Sequence, residues 1–414
     1  MKKNWLSLVI MLSVLISGVF YPNFSMAQEK ILLGMSGAFT GPSRGLGIEL
    51  YRGSQAYFNE VNENGGIYGR KVEIKCYDDG YNPDPAITNT IKLIQDDHVL
   101  CLFDYVGTPT VTRVLPLIKH FNKADSVYMF FPFSGAEPQR EYPYNHYVFN
   151  LRASYVQETA ELVEKLYNAG YRRIAVLYQA DAYGRSGWAG IHSALDVKGL
   201  KIISEATYSR GAQFTDSMED QVNILKNKKP DAIICVGVYA ACAAFIRDAR
   251  NAGMEMPICN LSFVGSESLL SMLEALNKTS HQDYTRKLIN TQVVPSYEDT
   301  SLDAVQEYRR LMDNSKNLIP EKFNNNYIPQ KYSFISFEGY LNARVMSEIL
   351  KKIYSSGYID DIYSSALSLH QIDIGIGTPV VFENGKHQGL NKVYFTTVSD
   401  GKFIPLRSWE DWKK

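Results

Sequence analysis

Short apolar runs without alternation, each followed by a stretch at helical spacing, recur along this chain and then begin again partway through it. Ile31 to Met35 reads as a buried strand. Leu50, Tyr57, Phe58 and Val61 then recur at helical spacing until Gly65-Gly66 stops the helix. Lys71 to Tyr77 reads as a second strand, and the segment after Pro83 is helical through Ile87, Ile91 and Ile94. Val99 to Asp104 and Val127 to Phe131 complete the first series. A second series of strands runs through Arg173–Tyr178, Ile202–Ala206, Ala232–Val236 and Pro257–Leu261. Helical spacing separates them, as at Val163, Leu166 and Tyr167 or Ala244, Phe245 and Ala249. Strands apolar on both faces need cover on both sides, so the pattern predicts an α/β protein with parallel sheets in two lobes. From about Thr291 come helices at Leu302–Met312 and Phe334–Ile353, then short strands around Val380–Phe382 and Val393–Val398. This tail is expected to return and complete the earlier lobes.

Before this pattern the chain carries an address. Lys2 and Lys3 precede an apolar run from Trp5 to Phe20, and Ser25-Met26-Ala27 supplies small residues for cleavage. Residues 1–27 therefore read as a secretory signal peptide, with a soluble mature protein, periplasmic or otherwise secreted, beginning near Gln28. The alternative, an uncleaved anchor, is opposed by the shortness of the run and the lack of a basic stop-transfer segment. No cysteine precedes Cys76, which excludes a lipid-modified cysteine after cleavage. A formal net charge of −1 gives no pull toward nucleic acid or a membrane surface. Five cysteines in an exported chain leave at least one unpaired. Cys76 and Cys101 fall on strands expected to flank the first strand, about 9–10 Å apart, too far for a disulfide. Cys235 and Cys259 fall on successive strands, and a bridge there stays open.

Catalytic machinery is not apparent in the sequence. The seven histidines are scattered without metal spacing. Gly184-Arg185-Ser186-Gly187 lacks the hydrolase elbow, and Gly41 to Gly47 lacks the ending of a phosphate loop. No G-x-G-x-x-G follows the first strand, which disfavours a dinucleotide. Asp78-Asp79 reads as a strand end that caps the next segment of the chain. No enzyme activity, cofactor or metal is therefore expected.

Several stretches, taken in order, resemble the branched-chain-amino-acid-binding group of periplasmic solute receptors, which feed ABC importers. They are Gly37 to Pro42 with Gly45-Leu46-Gly47, then Asn62 to Gly69, then Tyr77-Asp78-Asp79 with Pro83. Asp181 to Gly184 and Phe337 to Tyr340 follow at the family's spacing. The resemblance implies two Rossmann-like lobes joined by three crossover segments, with a ligand cleft between them. Residues 28–152 plus 292–387 would form one lobe, and 153–291 plus 388–414 the other. It implies a monomer that closes on a small molecule and delivers it to a membrane permease. Open parallel sheets likewise place ligands beyond the carboxyl ends of their strands, at helix N-termini.

Matched residue by residue, the resemblance implies ligand contacts from Arg44, Leu46, Tyr105, Gly107, Thr108, Phe133, Ser134 and Gly135 of the first lobe. Tyr183, Tyr239 and Phe263 are the contacts implied from the second. Thr108 and Ser134 would grip a carboxylate, or else cap helices. One departure stands out. The family's amino-acid binders keep an acidic side chain after the fourth strand of the second lobe, where this chain reads Asn260 to Gly265 with no acid before Glu267. A buried ammonium without a counter-charge is costly. The expected ligand is therefore a compact carboxylate, amide or amino-acid-like solute, with an aromatic one favoured by the aromatic candidates. A sensing module of the same fold and, behind it, an exported α/β enzyme are the alternatives.

Overall fold

The computed structural model describes residues 30–410 apart from 281, 317, 324–325 and 356–360, so the signal-peptide reading of residues 1–27 lies outside the described residues. The first lobe opens with β1 (Lys30–Gly37), α1 (Arg44–Glu63), β2 (Lys71–Asp78) and α2 (Pro83–Gln95). It continues through β3 (Cys101–Phe103), α3 (Thr108–Asp125), β4 (Met129–Phe130) and β5 (Val148–Phe149). The second begins with α4 (Tyr155–Asn168), β6 (Ile174–Gln179), α5 (Ala182–Val197), β7 (Ser204–Tyr208) and α6 (Glu219–Lys226). Then come β8 (Ala232–Val236), α7 (Tyr239–Asn251), β9 (Ile258–Asn260), α8 (Ser266–Asn277) and β10 (Leu288–Gln292). The tail adds α9 (Asp303–Asn314), α10 (Phe334–Tyr354), α11 (Ile362–Ser368), β11 (Tyr394–Ser399) and β12 (Lys402–Pro405).

Two sheets result. One is parallel throughout, in the order β2-β1-β3-β4-β5. The other runs β12-β11-β10-β9-β8-β6-β7 and is parallel except where β11 and β12 add antiparallel strands at its edge. The α/β class with two lobes is thus as the alternation predicts, and the chain crosses between lobes after β5, after β10 and before β11. Two strands are shorter than expected. Asp104 and Phe131 adopt φ of 54° and 56°, left-handed backbone that ends β3 and β4 early. The strand expected at Val380–Phe382 is not formed. Val380 makes only an isolated bridge to Ile372, while its side chain and that of Phe382 are buried in the core.

The cysteine geometry follows from the strand order. Cys76 on β2 and Cys101 on β3 lie on opposite sides of β1. On the adjacent strands β8 and β9, Cys259 pairs with Ile234 rather than Cys235. That one-residue offset sends the two thiols to opposite faces of the sheet. All five cysteines are free and buried. Elsewhere, α1 and α10 cross at backbone contact, since a Cβ on Gly53 would lie 1.7 Å from the Ser336 carbonyl oxygen.

Charges are buried where the chain first crosses between lobes. Arg152, 1 % exposed, lies 3.6 Å from Glu158 of α4 and 3.6 Å from Glu338 of α10, and it also donates to the Ser262 hydroxyl. Glu158 accepts from the Ser262 amide and hydroxyl, both at 2.9 Å, and from the Thr291 hydroxyl at 2.6 Å. Burial pulls the Arg152 pKa down, but Glu338 and Glu158 outweigh it and the net shift is upward. Glu338 is pushed up to about 7, chiefly by burial and against the pull of Arg152. Glu267 on α8 is likewise raised to about 7 by burial. Neither of its oxygens has a hydrogen-bond partner of good geometry, although Tyr297 and the amides of Glu267 and Phe334 offset part of the cost.

Gly53→Ala is expected to destabilise the protein by about 1–3 kcal/mol through overpacking at the helix crossing, seen as a lower urea midpoint. An unchanged midpoint would mean that α1 and α10 separate without cost. Glu267 gives a pH signature. Its folded value of about 7 exceeds the unfolded value of about 4.3, so its contribution is whole below the lower value and is lost as pH rises through the upper. Glu267→Gln removes that loss and should gain roughly 1–3 kcal/mol on wild type between about pH 5 and pH 8. A wild-type-to-variant gap that stays constant with pH in chemical denaturation would refute this.

Candidate functional site

The carboxyl ends of the two sheets face each other, and the side chains placed there form one buried aromatic cluster drawn from both lobes. Phe263, in the turn after β9, is its hub. The ring centroid of Tyr183 lies 4.6 Å from that of Phe263, Phe133 lies at 5.0 Å, Tyr81 at 6.0 Å and Tyr155 at 6.5 Å. Local sequence places each ring. Asp181 accepts from the amides of Tyr183 and Gly184 and so starts α5 with Tyr183 turned inward. Ser154 and Gln157 form a reciprocal capping box that begins α4 at Tyr155. Gly107, at φ 107°, lets the chain pass under Tyr81, since a Cβ there would lie 2.3 Å from that ring.

Hydroxyls gather at one side of the cluster. Thr108 Oγ1 is 2.8 Å from Ser134 Oγ and 3.2 Å from the Tyr155 hydroxyl. Neither Thr108 nor any other side chain caps α3, so the capping alternative fails for Thr108. Tyr155 is pushed up to about 12 by burial, and burial holds Tyr81 and Tyr183 well above the usual tyrosine range. These phenols therefore stay protonated, and the Tyr81 hydroxyl accepts from the Gln179 side-chain amide. The Tyr183 hydroxyl is buried with no partner. Arg152 stacks over the Phe133 ring at 4.5 Å from its centroid.

Most of the expected residues come together here. Gly107, Thr108, Phe133, Ser134, Tyr183 and Phe263 belong to the cluster, and Gly135 accepts from the Tyr155 amide at 2.7 Å beside that ring. Tyr239 and Leu46 pack on Gly265 at its edge, and the Tyr239 hydroxyl accepts from the Gly45 amide of the other lobe at 3.1 Å. Two do not join. The Tyr105 hydroxyl pairs with Thr90 of α2 at 3.0 Å, and its ring packs in the core behind the sheet. Arg44 stands 5.6 Å from the Tyr327 ring, outside the aromatic cluster.

Asp78 and Asp79 do not cap α2, whose N-cap is Asn82. Asp78 instead accepts from the Phe39 and Thr40 amides and the Thr40 hydroxyl, and Asp79 from the Ser36 hydroxyl and the Tyr81 amide. The pair pins the first loop and aims Tyr81. Tyr81, Tyr155, Arg152 and Glu158 were missed in the sequence. Tyr81 follows the end of β2 and was within reach of the strand-end rule, whereas Tyr155 and Arg152 lie on a crossing segment that no strand-end rule covers. Glu158 fills part of the gap left by the acid-free loop, for its carboxylate meets the Ser262 amide from α4.

Comparison with known proteins agrees with this architecture. The family model described as periplasmic binding protein matches residues 30–402. A Leu/Ile/Val-binding protein homolog of Brucella suis biovar 1 is 23% identical over 395 residues, covering 92% of each chain. Among solved structures, a possible leucine/isoleucine/valine-binding protein from Rhodopirellula baltica is 28% identical, with a TM-score of 0.80. The match covers 94% of this chain and 98% of that one. A branched-chain amino acid ABC transporter protein from Thermus thermophilus with bound valine shares the fold at 17% identity, with a TM-score of 0.78. It covers 92% of this chain and 96% of that one. The chain is a solute-binding protein rather than an enzyme, and it belongs to the periplasmic binding protein family.

Proposed function

We propose that this protein captures a small carboxylate- or amide-bearing solute with an aromatic or apolar body, and that it delivers this solute to the permease of an ABC importer. The observation that carries the reading is the Phe263 cluster, in which rings from both lobes meet beside the Thr108–Ser134–Tyr155 hydroxyls. Rings favour a flat or apolar body. The hydroxyls, together with the start of α3, favour an anionic or carbonyl oxygen. An amino-acid ligand fits less well, because Glu158 is the acid nearest the loop after β9 and its oxygens are already engaged by Ser262 and Thr291.

The working cycle in this reading is a hinge motion. The open form takes the solute on one lobe, and contacts made only on closure shift the population to the closed form. Lobes at 28–152 plus 292–387 and 153–291 plus 388–414 accord with the membership of β10, β11 and β12 in the second sheet. Export through residues 1–27 would place the monomer outside the cytoplasm.

The test is mass spectrometry of co-purifying solute, then a thermal-shift screen of small acids, amides and amino acids, since a bound ligand raises the melting temperature by mass action. For the solute found, Tyr183→Ala is expected to weaken binding by about 1–3 kcal/mol in calorimetry. Unchanged affinity in a folded variant would remove Tyr183 from the site. The matching amide should bind more weakly than the acid if the hydroxyls hold a carboxylate, and equal binding would refute that grip.

A further inference from the structure

Beyond the aromatic cluster, the seam between the lobes opens into a cavity of about 450 Å³ that the cleft reading leaves unused. Three arginines line it. Arg113 comes from α3 of the first lobe, and Arg185 of α5 and Arg210 come from the second. Arg210 is 3.7 Å from Asp181, whose oxygens also serve the start of α5 and Gln179. Among the described residues, the side chains of Arg113 and Arg185 have no ion-pair or hydrogen-bond partner. The other acid on the wall, Asp84, is exposed to solvent. The seam therefore gathers like charges from opposite lobes, which repel one another unless an anion lies between them.

A second cavity of about 450 Å³ continues from the first and shares Thr112, Ala182 and Arg185 with it. It runs along α5 toward the Tyr155 ring, past Val156, Ala189 and Gly190. The seam thus offers an arginine-lined end and an adjoining, mostly apolar crevice whose wall also holds Glu137.

We propose that this seam binds an oxyanion, free or carried as the acidic end of an organic solute, and that the anion bridges Arg113 to Arg185 and so favours closure. Such a bridge makes charge-assisted bonds to both lobes at once, and it shifts the population toward the arrangement that presents both partners. The inference is independent of the identity of the cleft ligand, and its test needs no such ligand.

Calorimetry of the full chain with inorganic phosphate and with phenyl phosphate, at ionic strength matched by chloride, is the direct test. Small-angle scattering would follow the radius of gyration. Saturable phosphate binding is expected, with a smaller radius of gyration on addition. Arg113→Gln and Arg185→Gln alter exposed side chains, and each should weaken binding about tenfold while leaving the circular dichroism unchanged. Tighter binding of phenyl phosphate would assign the organic source, and equal binding the free oxyanion. Absent binding, or identical heats in wild type and both variants, would overturn the proposal. Because oxyanions also stabilise proteins by exclusion from their surfaces, a thermal shift shared by wild type and variants counts against it as well.

Discussion

A guanidinium held between two carboxylates at the first crossing between the lobes is the constraint on which the aromatic cluster depends. Arg152 sits on the first crossing segment, and its partners come from α4 and α10, helices that follow different crossings. Taking three charges out of water is costly, and the cost is recovered only where geometry and further hydrogen bonds satisfy them. Glu158 meets that condition through Ser262 and Thr291. Glu338 meets it less well, as its raised pKa reports. The arrangement fixes where the crossing emerges, and the residue three positions later, Tyr155, is carried into the cleft. The Phe133 ring beneath Arg152 then faces Phe263 of the other lobe.

The cleft itself uses few kinds of interaction. Rings supply area, and protonated phenols and two aliphatic hydroxyls supply polar groups whose charge state does not change near neutral pH. Such a surface suits recognition of shape and of polar-group position. That character agrees with membership of a family of binding proteins and with relatives whose names record binding.

The architecture was legible in the sequence because parallel strands buried on both faces leave an unmistakable mark in apolar content, and helices between them mark the period. The loops after β3, β4 and β6 were legible for the same reason, since a strand end locates its loop to within a residue or two. What escaped depended on contacts distant in sequence. Tyr105 follows a strand as a ligand residue would, yet its ring turns behind the sheet to reach Thr90. The start of α4 carries no such mark, because its importance arises only when Gly135 and Thr108 fold against it. The loop after β9 carries no acid of its own before Glu267, and the carboxylate that meets it comes from Glu158, on a helix far earlier in the chain.

The burial of all five thiols has a practical consequence. Burial raises the pKa of Cys76, Cys101, Cys235 and Cys259, so these sulfurs remain protonated and poorly nucleophilic. A cysteine introduced on the rim of either lobe would therefore be the preferred target of a thiol-directed fluorophore without removal of any native sulfur. The protein is in that sense already prepared as an optical reporter, in which the proposed opening and closing of the lobes becomes a change in emitted light.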